Sequence, residues 1–182
     1  RVRCAGRVGP RESDPVARLR AEEPELERRI GRHRPSHSRR ENDAAAAVFD
    51  VIIVGAGISG IGSATLLRQH CPDLSIAILE SMDSFGGTWL IHKYPGTRSD
   101  SDLFTFGYGF KPWKGDPIAS RQQILDYLAE AIDDAGLAPH MRYGHAVRTA
   151  DWSRESATWK LQVARKDLGD VVQLEAGFLL MC

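Results

Sequence analysis

The chain has 182 residues, 42% of them hydrophobic, and its 24 basic and 24 acidic residues give a formal net charge of zero. This length suffices for one domain with a sizeable core, and the balanced charge gives no reason to expect nucleic acid or another polyanion as a partner. No apolar run approaches the ~20 residues that a transmembrane segment needs.

Residues 1–47 differ in composition from the rest of the chain. They contain 12 arginines and eight acidic residues, and large apolar residues are almost absent before Phe49. Such a segment cannot bury enough apolar surface to offset the entropy lost on ordering it. We therefore predict an Arg-rich disordered extension over residues 1–47 and a folded domain over residues 48–182. Since the first methionine is Met82, residues 1–47 could equally be sequence translated from upstream of the true start.

The three cysteines, Cys4, Cys71 and Cys182, are far apart in the sequence and form no C-x-x-C pair. This spacing predicts neither a metal site nor a redox-active dithiol. Reduced thiols are typical of a cytoplasmic protein, so we expect a cytoplasmic location.

The folded part is predicted to begin with a βαβ unit. Phe49–Val54 is a short, continuous and β-branched run, which is typical of a buried strand. A helix is predicted from Ile58 to about His70, because Pro72 stops it. Ser75–Leu79 predicts a second strand, and a right-handed crossover makes the two strands parallel.

The second half of the domain is predicted to contain a helix and then strands. Gln122 to about Ala135 predicts a helix with Gly136 as its C-cap. Alternating residues around Val147, and again over residues 158–163, predict antiparallel strands. Two further strands, Val171–Leu174 and Phe178–Met181, follow, and the last of them is predicted to be buried. The predicted fold class is α/β, a Rossmann-like domain with a parallel sheet and a small antiparallel β-meander, incomplete at its C-terminus.

Three glycines, Gly55, Gly57 and Gly60, form a G-x-G-x-x-G pattern between the first strand and the first helix. The first glycine permits a tight turn, the second allows the backbone to approach a diphosphate, and the third allows close packing of helix on strand. The free N–H groups of the helix N-terminus then face the phosphates. Glu80 ends the second strand twenty residues after Gly60, where a carboxylate accepts hydrogen bonds from ribose hydroxyls and repels a 2′-phosphate. The pattern therefore predicts NAD or FAD, and not NADP, in this loop.

Two further stretches point to the far end of such a dinucleotide, SFGGTW at residues 84–89 and YPGTRSDSD at residues 94–102. A flat isoalloxazine ring needs planar apolar walls and close backbone approach, which Gly86, Gly87 and Trp89 can provide. Four more aromatic residues recur with a period of two, which favours a half-buried strand with its aromatic side chains in the core: Phe104, Phe106, Tyr108 and Phe110.

The combination of VGAGISG, ILE, GGTW and YPGTRSDSD resembles the FAD-binding start of flavin-containing and Baeyer–Villiger monooxygenases, in particular the subgroup that activates the prodrug ethionamide. The resemblance covers about Phe49 to Cys182. It implies that FAD is held by the backbone of the glycine loop at its diphosphate, by Glu80 at its ribose and by the backbone of Val147 at its adenine. It also implies that Tyr94 shapes the flavin region and that Asp100 is catalytic, organising the flavin and the incoming nicotinamide. The complete set of implied cofactor-binding residues is Gly55, Gly57, Ile58, Ser59, Gly60, Glu80, Gly87, Thr88, Trp89, Tyr94, Asp100 and Val147.

The resemblance also implies the reaction. NADPH reduces FAD, the reduced flavin activates O₂, and one oxygen atom is transferred to a small-molecule ketone or to a heteroatom such as sulfur. A second glycine loop for NADPH is expected in this family, but none follows Gly60. We therefore expect the chain to be a fragment that does not complete the reaction alone. A catalytically inert dinucleotide-binding fragment and an NAD-dependent oxidoreductase remain as alternatives.

Overall fold

The computed structural model of the protein describes residues 47–182. The predicted disordered extension lies outside these residues, except for Ala47, which begins the first strand. The strands are β1 (Ala47–Val54), β2 (Ile76–Leu79), β3 (Met141–Arg142), β4 (His145–Ser153), β5 (Thr158–Arg165) and β6 (Asp170–Met181). The helices are α1 (Ile58–His70), α2 (Thr88–Ile91), α3 (Leu103–Phe106) and α4 (Arg121–Asp134), and a 3₁₀ turn covers Ala138–His140.

The strands form one six-stranded sheet in the order β3-β2-β1-β6-β5-β4. β1 pairs in parallel with both β2 and β6, and β2 pairs in parallel with β3. β5 pairs in antiparallel orientation with β4 and β6. The predicted α/β class, with a parallel sheet and an antiparallel meander, is confirmed.

The two faces of β1 bury different clusters, because successive side chains of a strand point to opposite sides. Ile53 packs with the helices α1 and α4 on one face. Ile52 packs with Leu161 and Val163 of β5 on the other face. This two-sided burial explains why the part of β1 from Val51 to Val54 is continuously apolar instead of alternating.

The last two predicted strands are one continuous strand, β6, which is 12 residues long. Its first part pairs with β5, and its residues from Leu174 to Met181 pair with β1. Gly177 lies inside this strand, where a Cβ would stand 3.3 Å from the carbonyl oxygen of Asp50. A glycine in a strand often marks such a close backbone approach.

The predicted burial of Phe178–Met181 was wrong, because Leu179 is partly buried and the other three side chains are exposed. Phe178 is 72% exposed and Met181 is 69% exposed. Phe178 is paired with Val51, which belongs to the cluster under the helices. That cluster ends before β6, so the apolar face of the sheet continues beyond the part that α1 and α4 cover.

The aromatic run from Phe104 does not form the predicted strand. Phe104 and Phe106 lie in the short helix α3, where they are 61% and 43% exposed. The carboxylate of Asp102 accepts a hydrogen bond from the N–H of Thr105 at 2.9 Å, and this N-cap overrides the period-two pattern. Tyr108 alone reaches the interior, where its hydroxyl donates to the carbonyl oxygen of Ile58 at 2.6 Å.

The helix α4 begins one residue earlier than predicted and ends as predicted. Ser120 and Gln123 form a reciprocal capping box at its start, which stabilises the first turn. At its end, Gly136 has a φ of +60°, and the N–H of Leu137 donates to the carbonyl oxygen of Ile132 at 3.0 Å. This arrangement caps the carbonyl groups of the last turn.

No helix among the described residues is both long and apolar enough to cross a membrane.

We predict that Gly136→Ala lowers the free energy of unfolding by about 1 kcal/mol, because an L side chain is strained in the left-handed region. A Cβ at Gly136 would meet no atom within 4 Å, so the effect is one of backbone conformation alone. The matched control is Gly109→Ala, which also meets no atom within 4 Å and has no positive φ. Urea denaturation should show a loss for Gly136→Ala only, and equal stability of the two variants would contradict the prediction.

Candidate dinucleotide-binding site

The loop between β1 and α1 turns over the end of β2. Gly55 has a φ of +105°, which favours glycine, and its N–H donates to the carbonyl oxygen of Leu79 at 2.7 Å. A Cβ at Gly60 would lie 1.9 Å from the carbonyl oxygen of Gly55. Gly60 therefore allows α1 to pack directly on the loop, as the pattern predicts.

Gly57 has a different role, because its backbone is extended (φ −82°) and unstrained. A Cβ at this position would have one neighbour within 4 Å, the Cα of Gly87 at 3.7 Å. The space above Gly57 is thus open on the side where a ligand would approach the backbone.

The N-terminus of α1 carries the positive end of a 13-residue helix. Gly57 is its N-cap, with no capping side chain, and no acidic residue lies in the first turn. The first N–H groups of a helix have no intrahelical partner, and the helix dipole adds partial positive charge there. A diphosphate fits this site because nothing in the helix itself neutralises it.

A second loop contacts the first through its backbone. The N–H of Gly86 donates to the carbonyl oxygen of Ala56 at 2.9 Å. Gly86 and Gly87 both have positive φ, +122° and +51°, and a Cβ at Gly87 would lie 3.1 Å from the Cα of Gly57. The GG of the GGTW stretch is therefore required for the approach of the two loops as well as for their conformation.

Glu80 is buried, 7% exposed, at the end of β2. Its Oε2 accepts a hydrogen bond from the N–H of Ala56 at 2.9 Å. Its Oε1 accepts from the N–H of Met82 at 2.8 Å and from the hydroxyl of Ser81 at 3.2 Å. An ionised carboxylate has about four acceptor positions, so capacity remains for one ligand hydroxyl. Glu80 also fixes the glycine loop, a role that the sequence pattern did not indicate.

These loops line one cleft of about 810 Å³. The cleft has three parts: the glycine loop with the start of α1, the segment after β2 with the start of β4, and the second loop with α2. The lining residues of these parts are, in the same order, Gly55, Gly57, Ile58 and Ser59; Glu80, Ser81, Met82 and residues 145–150; and Gly86, Gly87, Thr88, Trp89 and Ile91. Phe106 of α3, the last residues of three strands (Val54, Leu79 and Met181) and Cys182 also line the cleft.

Nine of the predicted cofactor-binding residues line the cleft: Gly55, Gly57, Ile58, Ser59, Glu80, Gly87, Thr88, Trp89 and Val147. Gly60 packs beneath the loop, and Tyr94 and Asp100 are exposed and lie outside the lining. The carboxylate of Asp100 accepts a hydrogen bond from Ser101 at 3.3 Å. The structure thus brings the glycine loop, Glu80, the second loop and Val147 together, and leaves Tyr94 and Asp100 apart from them.

Other lining residues were not predicted to bind a cofactor, among them Ser81, Met82, His145, Arg148 and Thr149. They reach the cleft because β4 begins beside the end of β2. The N–H of His145 donates to the carbonyl oxygen of Glu80 at 2.8 Å. No local motif marks such a contact, since it depends on how distant segments meet.

Burial perturbs two titratable groups at this end of the cleft. Burial is the main cause that lowers the pKa of His145, and its Nδ1, 2.8 Å from the carbonyl oxygen of Tyr143, partly opposes that shift. Because a carbonyl only accepts, Nδ1 carries the proton of the neutral ring. Burial, and then the charge of Glu80, raise the pKa of Tyr143 above its ordinary value.

We predict that Gly60→Ala costs about 3 kcal/mol of stability, because its Cβ would overlap backbone that cannot move aside. Gly57→Ala, three residues away on the same loop, should cost less than about 1 kcal/mol, the penalty of an alanine at an N-cap. Chemical denaturation of both variants measures the difference. Similar losses for the two would contradict the distinct roles assigned to these glycines.

We predict that the free energy of unfolding falls as the pH drops below about 6.5, the ordinary pKa of histidine. Because the folded pKa of His145 is lowered, the unfolded chain binds more protons in this window, and acid therefore favours unfolding. His145→Asn keeps a donor for the carbonyl of Tyr143 but does not titrate, so its stability should fall less between pH 7.5 and pH 5. Parallel curves for the two proteins would refute the assignment.

Sequence comparison relates the chain to flavoprotein oxygenases. It is 47% identical over 135 residues to the FAD-containing monooxygenase EthA of Mycolicibacterium smegmatis, and this match covers 74% of the chain and 27% of that protein. It is 40% identical over the same length to the putative FAD-containing monooxygenase MymA of Mycobacterium tuberculosis, with the same coverage. Residues 37–93, less than half of the chain, match a family described as the Thi4 family.

Solved structures give the same relationship. An oxidized steroid monooxygenase bound to NADP superposes with a TM-score of 0.66 at 28% identity, over 75% of this chain and 26% of that one. A closed crystal structure of cyclohexanone monooxygenase superposes with a TM-score of 0.65 at 26% identity, over 76% of this chain and 26% of that one. The resemblance that the motifs indicate is therefore confirmed: this chain is homologous to the FAD-containing monooxygenases, and it spans about a quarter (27%) of the length of the curated relatives it matches.

Proposed function

We propose that this chain is the FAD-binding portion of an NADPH- and O₂-dependent monooxygenase that oxidises a small-molecule ketone by Baeyer–Villiger chemistry or a heteroatom such as sulfur. The observation that carries the proposal is the backbone contact of two glycine loops over one cleft, with Gly57 against Gly87. One loop offers a helix N-terminus for a diphosphate, and the other offers glycine backbone and Trp89 for a flat ring. The dependence on NADPH and O₂ rests on the relatives.

Each part of FAD has a matching group in the cleft. The N–H groups at the start of α1, near Ile58 and Ser59, hold the diphosphate, and the remaining acceptor capacity of Glu80 takes a ribose hydroxyl. The backbone of Val147 meets the adenine. Gly87 and Trp89, which belong to the second loop and line the third part of the cleft, place the isoalloxazine. When bound, FAD supplies the electron transfer and oxygen activation, while these residues orient it and exclude water from one of its faces.

Tyr94 and Asp100 belong to the nicotinamide side in this proposal. Both side chains are exposed and lie outside the cleft lining, which suits groups that meet a nicotinamide arriving from beyond the FAD site. Asp100 would then act on the flavin and the nicotinamide together by its negative charge. The catalytic part of the proposal depends on this residue.

The alternative of an NAD-dependent oxidoreductase is less well supported by the second loop. A nicotinamide ring does not need a pair of glycines with positive φ packed against the first loop. A three-ring flavin, in contrast, needs an extended surface beside the diphosphate that its flat ring can approach closely.

We also propose a cytoplasmic location, since the described cysteines, Cys71 and Cys182, are both free thiols and free thiols persist in reducing compartments.

We predict that the purified chain, refolded with excess FAD, is yellow and binds FAD more tightly than NAD or NADP. Gly57→Asp should abolish flavin absorbance, because its Cβ and carboxylate occupy the space for the diphosphate and repel its charge. Gly109→Asp is the matched control, since a side chain there meets open space outside the cleft. Equilibrium dialysis and quenching of flavin fluorescence give the affinities.

A colourless wild-type protein, or tighter binding of NAD than of FAD, would overturn the proposal. Steady-state oxidation of NADPH with a ketone or sulfide should be absent when this chain is assayed alone, because the cleft provides a site for one dinucleotide. Turnover by the 182 residues would show that the chain is more than an FAD-binding portion.

A further inference from the structure

Arg148 lies in a β-bulge of β4. Val147 stands opposite Val163 of β5 and Thr149 stands opposite Gln162, so the pairing shifts by one residue at Arg148. A bulge bends its strand and turns the extra side chain away from the regular alternation. Residues 145–150 of β4 all line the cleft, and the bulge leaves Arg148 out of the regular pairing in the middle of this stretch.

The position of Arg148 is at the junction of two cavities. A second cavity of about 490 Å³ adjoins the cleft, and the two share the lining residues Ser81, Ala146 and Arg148. Space therefore exists on both sides of the arginine. Arg148 is exposed.

The charge of Arg148 is not paired with an acidic side chain in the described part of the chain. Nearby Arg165 pairs with Asp170 at 2.5 Å, and Lys166 pairs with Asp83 at 2.6 Å. The guanidinium of Arg148, in contrast, forms no hydrogen bond or ion pair with any described residue. It is also the one permanently charged cation among the residues lining the cleft, just as Glu80 is the one carboxylate.

The order of groups along the cleft identifies what lies next to Arg148. If the diphosphate rests on the start of α1 and the adenosine ribose on Glu80, the base continues in the direction away from α1. The lining on that side is Ser81, Met82 and residues 145–150 of β4. Arg148 is at the centre of this segment.

We infer that Arg148 is a positioning residue that binds the adenine ring of the dinucleotide through its planar guanidinium, an inference that rests on the proposed function. An arginine stacks on aromatic rings and is more weakly hydrated than a lysine, and it gains cation–π energy from a purine face. Selection of a 2′-phosphate is the other use of an arginine beside a ribose, but the carboxylate of Glu80 opposes that charge. The arginine thus makes the cleft selective for the adenine half of its ligand.

The test compares the full chain with Arg148→Gln, Arg148→Lys and the control Arg154→Gln, which removes an exposed arginine from the turn between β4 and β5. Affinities are measured for FAD directly and for ADP and 2′,5′-ADP by competition with FAD. We expect Arg148→Gln to weaken FAD and ADP by the same factor, about tenfold. Arg148→Lys should recover little of this loss, Arg154→Gln should change nothing, and the thermal midpoint without ligand should be the same in all four proteins.

Several outcomes overturn the inference. Full recovery by Arg148→Lys would mean that charge alone attracts the diphosphate, and tighter binding of 2′,5′-ADP than of ADP would assign the arginine to a phosphate. Equal FAD affinity of wild type and Arg148→Gln would overturn the inference but leave the proposed function intact. If the wild type binds neither FAD nor ADP, both are wrong.

Discussion

The hydrogen bond from the N–H of Gly86 to the carbonyl oxygen of Ala56, 2.9 Å long, is the interaction on which the candidate site depends. It joins two loops that are 30 residues apart in the chain and brings the Cα atoms of Gly57 and Gly87 into contact range. Because the junction is made of backbone, side-chain motion cannot loosen it. The carboxylate of Glu80 supports the same junction from below by accepting the N–H of Ala56. The floor of the cleft is therefore already formed without a ligand, and a preformed site lowers the entropic cost of binding.

Local patterns predicted the elements that carry this floor. The run VIIV, the three glycines and the stop at Pro72 gave β1, the loop and the range of α1 (Ile58–His70), because each signal acts within a few residues. The same kind of signal was misread at Phe104, where the spacing of aromatic residues was given more weight than the N-cap of Asp102. In both cases the outcome was decided by short-range chemistry that the sequence displays.

Features that depend on distant pairing were not predictable. The continuity of β6 is decided by its two neighbours, β5 on one edge and β1 on the other, and no residue within Asp170–Met181 announces them. The same limit explains why the sequence did not place His145 and Arg148 at the site, because they reach the cleft only when β4 begins beside the end of β2. Tyr94 and Asp100 are the opposite case. The sequence motif that contains them is clear, but neither residue lines the cleft in the described part of the chain.

The pairing of β1 with β6 has a consequence for synthesis of the protein. β1 finds β2 within a few tens of residues, but its other neighbour lies about 125 residues further along the chain. At roughly 5–20 residues per second, a ribosome needs about 6–25 s to deliver β6 after β1 has emerged. During this time β1 presents an apolar strand with one open edge, which is a template for association between nascent chains. The topology that completes the cleft therefore leaves one edge of its first strand unpaired long after β2 has covered the other.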